Sequence, residues 1–248
     1  MMRIKLTIAY DGRPFEGWQS QPSGRTVQDQ MEAALERIAK KRISLHASGR
    51  TDTGVHALGQ VAHFDAPANS SMDAAAWMRA LNAHLPRTIR VMASEGVADD
   101  FHARFSVIKK TYRYEIDTSE VLRPLRAGLA WHHPQVIDRD LLRESLVLFQ
   151  GEHDFAAFAA NRGDGKDLET VRTIHEARLA EHGETLALTY TGNGFLYRMV
   201  RLLTGSAMRC ATGGEPVRWI ANLLEPAGTA HSSHCAPADG LTLVSVDY

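Results

Sequence analysis

A short turn-rich segment carries the residues of this chain best suited to chemistry. Between residues 48 and 56, two glycines bracket Arg50 and Asp52, and predicted strands lie on both sides. Glycine permits backbone angles and close approaches that other residues resist, and a loop held between strands is a common place for a reactive group. Taken alone, however, an aspartate in a glycine-rich turn is more often a turn former than a catalyst. Composition and spacing leave both interpretations open.

Three residues of metal-binding types lie near the carboxyl end, at His231, His234 and Cys235. Two residues between the histidines, followed by an adjacent cysteine, fit no standard structural zinc spacing. We therefore predict loop residues there and no metal site. His56 and His63 flank the glycine-bracketed segment, but nothing pairs either with a nucleophile, so both are predicted to be hydrogen-bonded structural histidines.

The first half of the chain must position the Asp52 segment, and its pattern predicts a β-α-β-β-α-β order. One helix is predicted to begin at Thr26, because a hydroxyl there precedes Asp29 by three residues, and a second is predicted over 72–84. Alternating apolar residues predict strands over 3–10, 43–47, 60–65 and 89–97. This order is typical of a ferredoxin-like split unit.

The second half is predicted to be a looser version of the same ferredoxin-like pattern. Its predicted strands and helices cover 109–117, 138–149, 171–181, 185–191, 195–209, 216–224 and 241–248. The predicted fold class is α+β, with two ferredoxin-like α/β halves packed around a largely antiparallel mixed sheet and an active-site cleft between them. We expect residues 1–104 to form the half that carries Asp52, and residues 105–248 to form the half that completes the cleft.

Bulk composition favours a cytoplasmic protein without a membrane partner. No apolar run in the 248 residues approaches the roughly 20 that a membrane-spanning helix needs. The first residues lack the apolar stretch of a secretory signal. Two cysteines in a chain of this length do not suggest a disulfide framework.

The net charge of −1 neither favours nor excludes a nucleic acid, but the basic residues are clustered. Between residues 101 and 126, six basic side chains stand against three acids, and between residues 195 and 213 three arginines stand against none. Such stretches suit a phosphate backbone, and they suit solvated faces equally well. The first stretch contains Arg104, Lys109, Lys110, Arg113, Arg123 and Arg126.

The glycine-bracketed segment reads Gly49-Arg50-Thr51-Asp52, then Gly54-Val55-His56 after one residue. It resembles the catalytic motif of the bacterial tRNA pseudouridine synthase A family, which acts at positions 38–40 of the anticodon arm. Other segments agree in the family's order and span nearly the whole chain: 10–12, 17–19, 60–64, 99–106, 112–114, 193–196, 199–201, 240–241 and 244–248. Thr53 stands where alanine is common in the family, a change that the loop should tolerate. Tyr197-Arg198 stands where two histidines are common, and Leu202 where asparagine is common; these changes would alter RNA contacts near the site.

The resemblance implies an isomerase that turns uridine into pseudouridine without a metal or other cofactor, since the reaction gains or loses no atoms and oxidises nothing. Asp52 is implied to be the essential carboxylate and nucleophile. Arg201 is implied to be its ion-pair partner, because an ionised carboxylate in a closed pocket needs a positive neighbour. Tyr112 is implied to stack on the target base and to accept its proton. The sequence does not choose between attack on the base, attack on the sugar and removal of a sugar proton.

The implied partner is the anticodon stem-loop of transfer RNA, bound across a homodimer. Arg50 is implied to support the target nucleotide after it leaves the stem, at a cost of a few kcal/mol. Lys109, Lys110 and Arg104 are predicted to contact the RNA backbone.

Two other functions fit parts of the sequence. An RNA-binding module without catalysis shares the ferredoxin-like pattern, but the first predicted strand lacks the usual pair of base-stacking aromatics. A nucleosidase or glycosidase would need two carboxylates about 5–10 Å apart, whereas the nearest comparable acid to Asp52 is Asp65, beyond a strand. Release of label from uracil C5 of transfer RNA separates the first alternative from an isomerase, and free uracil would support the second.

Overall fold

The computed structural model describes residues 2–160, 169–225 and 231–248. These form two compact units. Unit 1 runs through Ile108 and includes Thr242–Tyr248, and unit 2 is the described part of Lys109–Leu241. The last strand therefore belongs mainly with the first half of the chain, whereas the sequence suggested the second.

Unit 1 contains the strands β1 (Arg3–Tyr10), β2 (His46–Ala47), β3 (His56–Asp65) and β4 (Ile89–Val97). β1 pairs antiparallel with both β3 and β4, and β2 pairs antiparallel with β3. Strand order β4-β1-β3-β2 with helices after β1 and β3 confirms the predicted ferredoxin-like arrangement. The final strand of the chain, Leu241–Asp247, joins β3 in parallel through Thr242 and Leu243, and this long-range pairing places it in unit 1.

Two helices complete unit 1. α1 (Val27–Ala39) has Thr26 as its N-cap, and the Thr26 side chain accepts the N–H of Asp29, as predicted. α2 (Ala74–His84) starts two residues later than predicted, because the Asp73 carboxylate accepts the Ala76 N–H and caps the helix there. Their buried apolar faces are Val27, Met31, Ala34 and Leu35 on α1, and Trp77 and Leu81 on α2.

The strand predicted over 43–47 is reduced to β2 at His46–Ala47. Ile43 and Leu45 are buried, so their apolar pattern reflects packing. The Leu45 N–H donates to the Glu32 carboxylate, which replaces the ladder bond that a longer strand would make.

Unit 2 contains β5 (Lys109–Asp117), β6 (Trp131–His132), β7 (Gly151–Asp154), β8 (Val171–His182) and β9 (Thr185–Gly192). The strand order is β5-β9-β8-β7, with every neighbour antiparallel, and β6 pairs in parallel with β5. The predicted hairpin at His182 and Gly183 is confirmed as the connection between β8 and β9. The α+β fold class is confirmed, while the short strands β6 and β7 were not predicted.

The helices of unit 2 are α3 (Arg139–Leu148), α4 (Met199–Ala211) and α5 (Arg218–Leu224). The prediction that α4 would start at Phe195 was wrong. The Tyr197 carbonyl accepts the N–H of Ala160, and Arg198 adopts a left-handed conformation with φ of 59°, so the helix starts only at Met199. α4 is buried on nearly every side, as expected of a core helix. No helix in the described parts of the chain is long and apolar enough to cross a membrane.

Candidate active site

Asp52 lies in unit 1, in the loop that connects β2 with β3. The Val55 N–H donates to the Asp52 carbonyl at 3.1 Å, and Gly54 has a positive φ of 80°, so residues 52–55 form a tight turn that needs glycine. Asp52 is half-buried, Thr51 is buried and Arg50 is exposed. The turn thus holds a partly shielded carboxylate beside a solvent-facing guanidinium.

Thr51 fixes the backbone next to Asp52. Its Oγ1 is 2.8 Å from the hydroxyl of Tyr10 in a buried hydrogen bond, and its carbonyl accepts the N–H of Trp18 at 3.1 Å. Burial raises the pKa of Tyr10 to about 12, so the phenol keeps its proton at neutral pH. A rigid strand, β1, therefore anchors the residue that precedes Asp52.

The amide of Gln60 anchors the start of the same loop. Its Oε1 accepts from the Ser48 hydroxyl at 2.7 Å, and its Nε2 donates to the Gly49 carbonyl at 3.2 Å. Gln60 is fully buried on β3, so these bonds are shielded from competing water. The loop residues Ser48, Gly49 and Thr51, which precede Asp52, are consequently held by side chains of β3 and β1.

Two glycines let residues 11–18 lie directly against the Asp52 loop. A Cβ on Gly12 would stand 2.1 Å from the Val55 carbonyl oxygen. A Cβ on Gly17, whose φ is +87°, would stand 2.7 Å from the Thr51 carbonyl oxygen. Any larger residue at either position would push the loop away.

His56 is a structural histidine, as predicted. Its Nδ1 accepts the N–H of Gly12 at 3.2 Å. The neighbouring carboxylate of Asp11, 3.4 Å away, accepts from the Arg13 guanidinium, and this bond lowers the pKa of Asp11. His63 is also structural, because its Nδ1 accepts the Ala103 N–H at 3.1 Å.

Tyr112 lies in unit 2 on β5, opposite Tyr190 of β9. Its ring meets Phe195 edge-on with centroids 5.1 Å apart, and only 9% of the residue is exposed. Tyr114 shares that face of the strand, but its hydroxyl donates to the Pro237 carbonyl at 2.8 Å, and burial raises its pKa. Tyr114 is therefore part of the scaffold.

Arg201 lies in the first turn of α4 and is half-buried. Its Nε donates to the Ala236 carbonyl at 2.7 Å, and its own carbonyl accepts the Ala236 N–H at 3.0 Å. One turn further along, a Cβ on Gly205 would stand 1.9 Å from the His234 carbonyl oxygen. The segment 232–237 thus packs directly on α4 and fixes the direction of the Arg201 guanidinium within unit 2.

The remaining predicted RNA contacts lie at the surface or near it. Arg104 and Lys109 are exposed and Lys110 is half-buried. Lys109 and Lys110 begin β5, three and two residues before Tyr112 on the same strand. Their proposed roles stay predictions.

Several residues that shape these two regions carry no functional signal in the sequence. Phe195 orients Tyr112, and Ala236 orients Arg201 through a backbone carbonyl, which any residue type could supply. The positions of Gly12 and Gly17 were visible in the sequence, but the close approach that requires them depends on residues about 35 to 45 positions away.

The His234 ring meets the Trp219 ring edge-on with centroids 5.7 Å apart, and the Cys235 thiol lies 3.8 Å from the Ala236 carbonyl. Among the described residues, no three His, Cys, Asp or Glu side chains are placed to hold a metal ion.

Comparison with known proteins gives consistent matches over the whole chain. Residues 6–106 and 146–248 match a family described as tRNA pseudouridine synthase. A tRNA pseudouridine synthase A from Akkermansia muciniphila is 50% identical, over 100% of this chain and 96% of its own length. The tRNA pseudouridine synthases A from Bacillus licheniformis and Latilactobacillus sakei are 42% and 41% identical to this chain, over at least 98% of their own lengths.

Proposed function

The chain belongs to the tRNA pseudouridine synthase family, whose members isomerise uridine to pseudouridine. We propose that it acts at positions 38–40 of the anticodon arm and that Asp52 is the nucleophile. The observation that carries the proposal is the fixed, half-buried position of Asp52. Its turn is closed by the bond from the Val55 N–H to the Asp52 carbonyl, and side chains of β1 and β3 hold the preceding residues Thr51 and Gly49. A reactive group pre-positioned in this way loses little freedom when the substrate arrives.

The reaction breaks the N1–C1′ bond of uridine and forms a C5–C1′ bond in its place. C5 loses a proton and N1 gains one, so atoms and electrons balance within the substrate. A covalent bond to Asp52 would hold one fragment while the base turns, dividing one difficult step into two easier ones. The carboxylate is released when the new bond has formed.

Arg201 is proposed as the charge partner of Asp52. A nearby guanidinium favours the ionised, nucleophilic form of a carboxylate. The two bonds between Arg201 and Ala236 hold the guanidinium in one direction, which such a partner requires. The pairing draws on the family resemblance, and its test is a charge-preserving change, Arg201→Lys, that loses the rigid fork.

Tyr112 is proposed to stack on the target base and to accept the proton from C5. Its ring orientation is set by the edge of Phe195, and aromatic stacking on an extruded base is a common recognition mode. Arg50 is proposed to support the flipped nucleotide. Lys109, Lys110 and Arg104 are proposed to contact the phosphate backbone, where exposed cations are most effective.

The test is release of tritium from transfer RNA labelled at uracil C5, with pseudouridine mapped in the product. We expect label release at positions 38–40 from the wild type, and a loss on the order of 10³-fold or more in Asp52→Asn, with RNA binding retained. Tight binding without release would leave only an RNA-binding module. Free uracil would indicate a hydrolase, and pseudouridine elsewhere would refute the assigned positions.

We also propose a homodimer that works in the cytoplasm. The support is the resemblance to the synthase A family, which binds transfer RNA across two subunits. Light scattering at micromolar concentration should report twice the 27.4 kDa chain mass, and a monomeric mass would contradict this proposal alone.

A further inference from the structure

The loop 98–106, which follows β4, places an aromatic ring and a cation together at the surface of unit 1. Phe105 is 75% exposed. The Arg104 guanidinium lies 5.5 Å from the Phe105 ring centroid. No carboxylate in the described residues forms an ion pair with Arg104. A large ring and an unneutralised cation in this position are available to a ligand.

The loop that carries them is fixed. The Arg3 guanidinium, itself paired with Asp65, donates to the Phe101 carbonyl at 2.9 Å. The Ala103 N–H donates to His63 at 3.1 Å, and the Tyr248 hydroxyl donates to the Ala103 carbonyl at 2.6 Å. Because the backbone on the amino-terminal side of Phe105 is already ordered, a ligand would bind the ring with little loss of conformational freedom.

The exposed ring of Phe105 contacts the ring of His102, which in turn contacts the ring of His46. His102 lies 4.4 Å from Phe105 and 5.8 Å from His46, measured between ring centroids. Burial, with His46 and Arg3 as further causes, lowers the pKa of His102, so its ring is uncharged near neutral pH. Neutral planar rings of this kind offer a stacking face to a nucleobase.

We propose that this loop is a second RNA contact, in which Phe105 stacks on an unpaired base and Arg104 contacts a phosphate. The proposal rests on the proposed function for the identity of the RNA. Single-stranded nucleic acid is commonly bound by aromatic rings flanked by cations, and both are present in adjacent residues here.

A second copy of this chain is a less suitable occupant. A stable protein interface covers about 800 Å² on each side around an apolar centre. Here the exposed large apolar residues of the stretch 98–109 are Phe105 and Ile108. The same stretch contains five exposed charged or polar residues, namely Asp99, Asp100, Arg104, Ser106 and Lys109. The hydrogen bond to Asp65, with Asp99 and Asp100 as lesser causes, raises the pKa of Arg3, so part of the charge of Asp99 and Asp100 is offset within the fold.

The contact is remote from the target nucleotide. The Asp52 loop enters β3 at His56, while the loop 98–106 is bonded to His63 on the same strand. Seven residues of strand separate these two points by about 23 Å. Phe105 therefore contacts nucleotides other than the one at Asp52, and its loss should weaken binding more than the chemical step.

The test compares Phe105→Ala with wild type for affinity to transfer RNA and for kcat and KM of tritium release. We expect Kd and KM to rise about 5- to 100-fold, with most of the change in KM. Phe105→Trp, which keeps a stacking ring, should restore binding. Val147→Ala is the matched control, because Val147 is another exposed apolar residue, 61% exposed on α3, and should leave Kd unchanged.

Arg104→Ala provides an independent measurement. Loss of one phosphate contact should lower the slope of log Kd against log salt by about 0.7 to 0.9. The proposal is overturned if Phe105→Ala binds within about twofold of wild type, or if light scattering shows that it dissociates a dimer. A wild type that forms no pseudouridine would instead refute the proposed function, while the binding data would still decide the role of Phe105.

Discussion

The hydroxyl pair of Tyr10 and Thr51 is the most direct link between a single side chain and the position of Asp52. Both groups are buried, and each satisfies the other at 2.8 Å. A buried hydroxyl that loses its partner costs about 1 to 3 kcal/mol. Removing one member should therefore cost more than removing both.

We expect Thr51→Val to lower the free energy of unfolding by about 1 to 3 kcal/mol and to reduce kcat, because the residue before Asp52 loses its anchor. The double variant Tyr10→Phe/Thr51→Val should recover part of the stability. Denaturant unfolding and tritium release on the wild type, Thr51→Val, Tyr10→Phe and the double variant form a double-mutant cycle. Strictly additive losses would show that the hydroxyls do not act as a pair.

At the scale of elements, the segment 232–237 and α4 pack together within unit 2. The carbonyl of Ala236 and the close approach of His234 to Gly205 hold the segment against the helix that carries Arg201. A glycine inside a helix ordinarily destabilises it by roughly 0.5–1 kcal/mol relative to alanine. Its presence at residue 205 is explained by the absence of space for a side chain.

We expect Gly205→Ala to lower stability, against the usual trend for helices, and to reduce kcat by up to about 10²-fold, since small displacements of catalytic groups have effects of that size. Gly96→Ala is the control, because a Cβ there would come no closer than 3.8 Å to another heavy atom, so the same substitution should leave stability and kcat near those of the wild type. Thermal unfolding and tritium release measure both effects. A stabilised, fully active Gly205→Ala would disprove the positioning role of the segment.

The connection between β3 and the loop 98–106 should make unit 1 sensitive to acid. Burial first, and then His102 and His46, lower the pKa of His63 from 6.5 to about 4. The folded chain therefore keeps His63 neutral where the unfolded chain protonates it. The stability this contributes is complete above about pH 6.5 and is lost as the pH falls toward 4.

We expect the free energy of unfolding of the wild type to fall between pH 7.5 and pH 5, and His63→Asn to show a smaller fall. Asparagine can still accept the Ala103 N–H through its amide oxygen, so the loop keeps its bond. His102, whose pKa is also lowered, should account for part of the remaining slope. Equal pH dependence in the two proteins would rule out His63 as a source.

How far elements can be predicted from sequence depends on how local their causes are. The bounds of β1, β4 and β5 were predicted correctly, because alternation within each strand specifies them. The start of α4 was not, because it depends on a bond between Tyr197 and Ala160, 37 residues apart. The pairing of the last strand with His56 and Ala57 has no local signal at all.

The same limit applies to the site. Local pattern alone favoured a turn-forming role for Asp52, and the family motif supplied its chemical interpretation. The hydroxyl of Tyr10, the amide of Gln60 and the carbonyl of Ala236 support Asp52 and Arg201 from distant parts of the chain. Such supporting residues require coordinates, because their effect depends on proximity and not on residue type.

At the scale of the whole molecule, a net charge of −1 gives transfer RNA no general attraction. Affinity must then come from local groups of cations, and Lys109 and Lys110 at the start of β5 are one such pair. Lys41 and Arg42 are a second adjacent pair, both exposed after α1. Changing either pair to alanine gives the same net charge, −1 − 2 = −3, so a comparison of the two variants separates local from overall charge.

We expect Lys109→Ala/Lys110→Ala to weaken binding of transfer RNA and to lower the slope of log Kd against log salt by about 1.4 to 1.8, the value for two lost phosphate contacts. Lys41→Ala/Arg42→Ala should change neither quantity appreciably. The strand should persist in the first variant, because its ladder with β9 uses backbone groups that alanine retains. Equal weakening in both variants would mean that overall charge governs the encounter, and the assignment of Lys109 and Lys110 to the RNA contact would then be wrong.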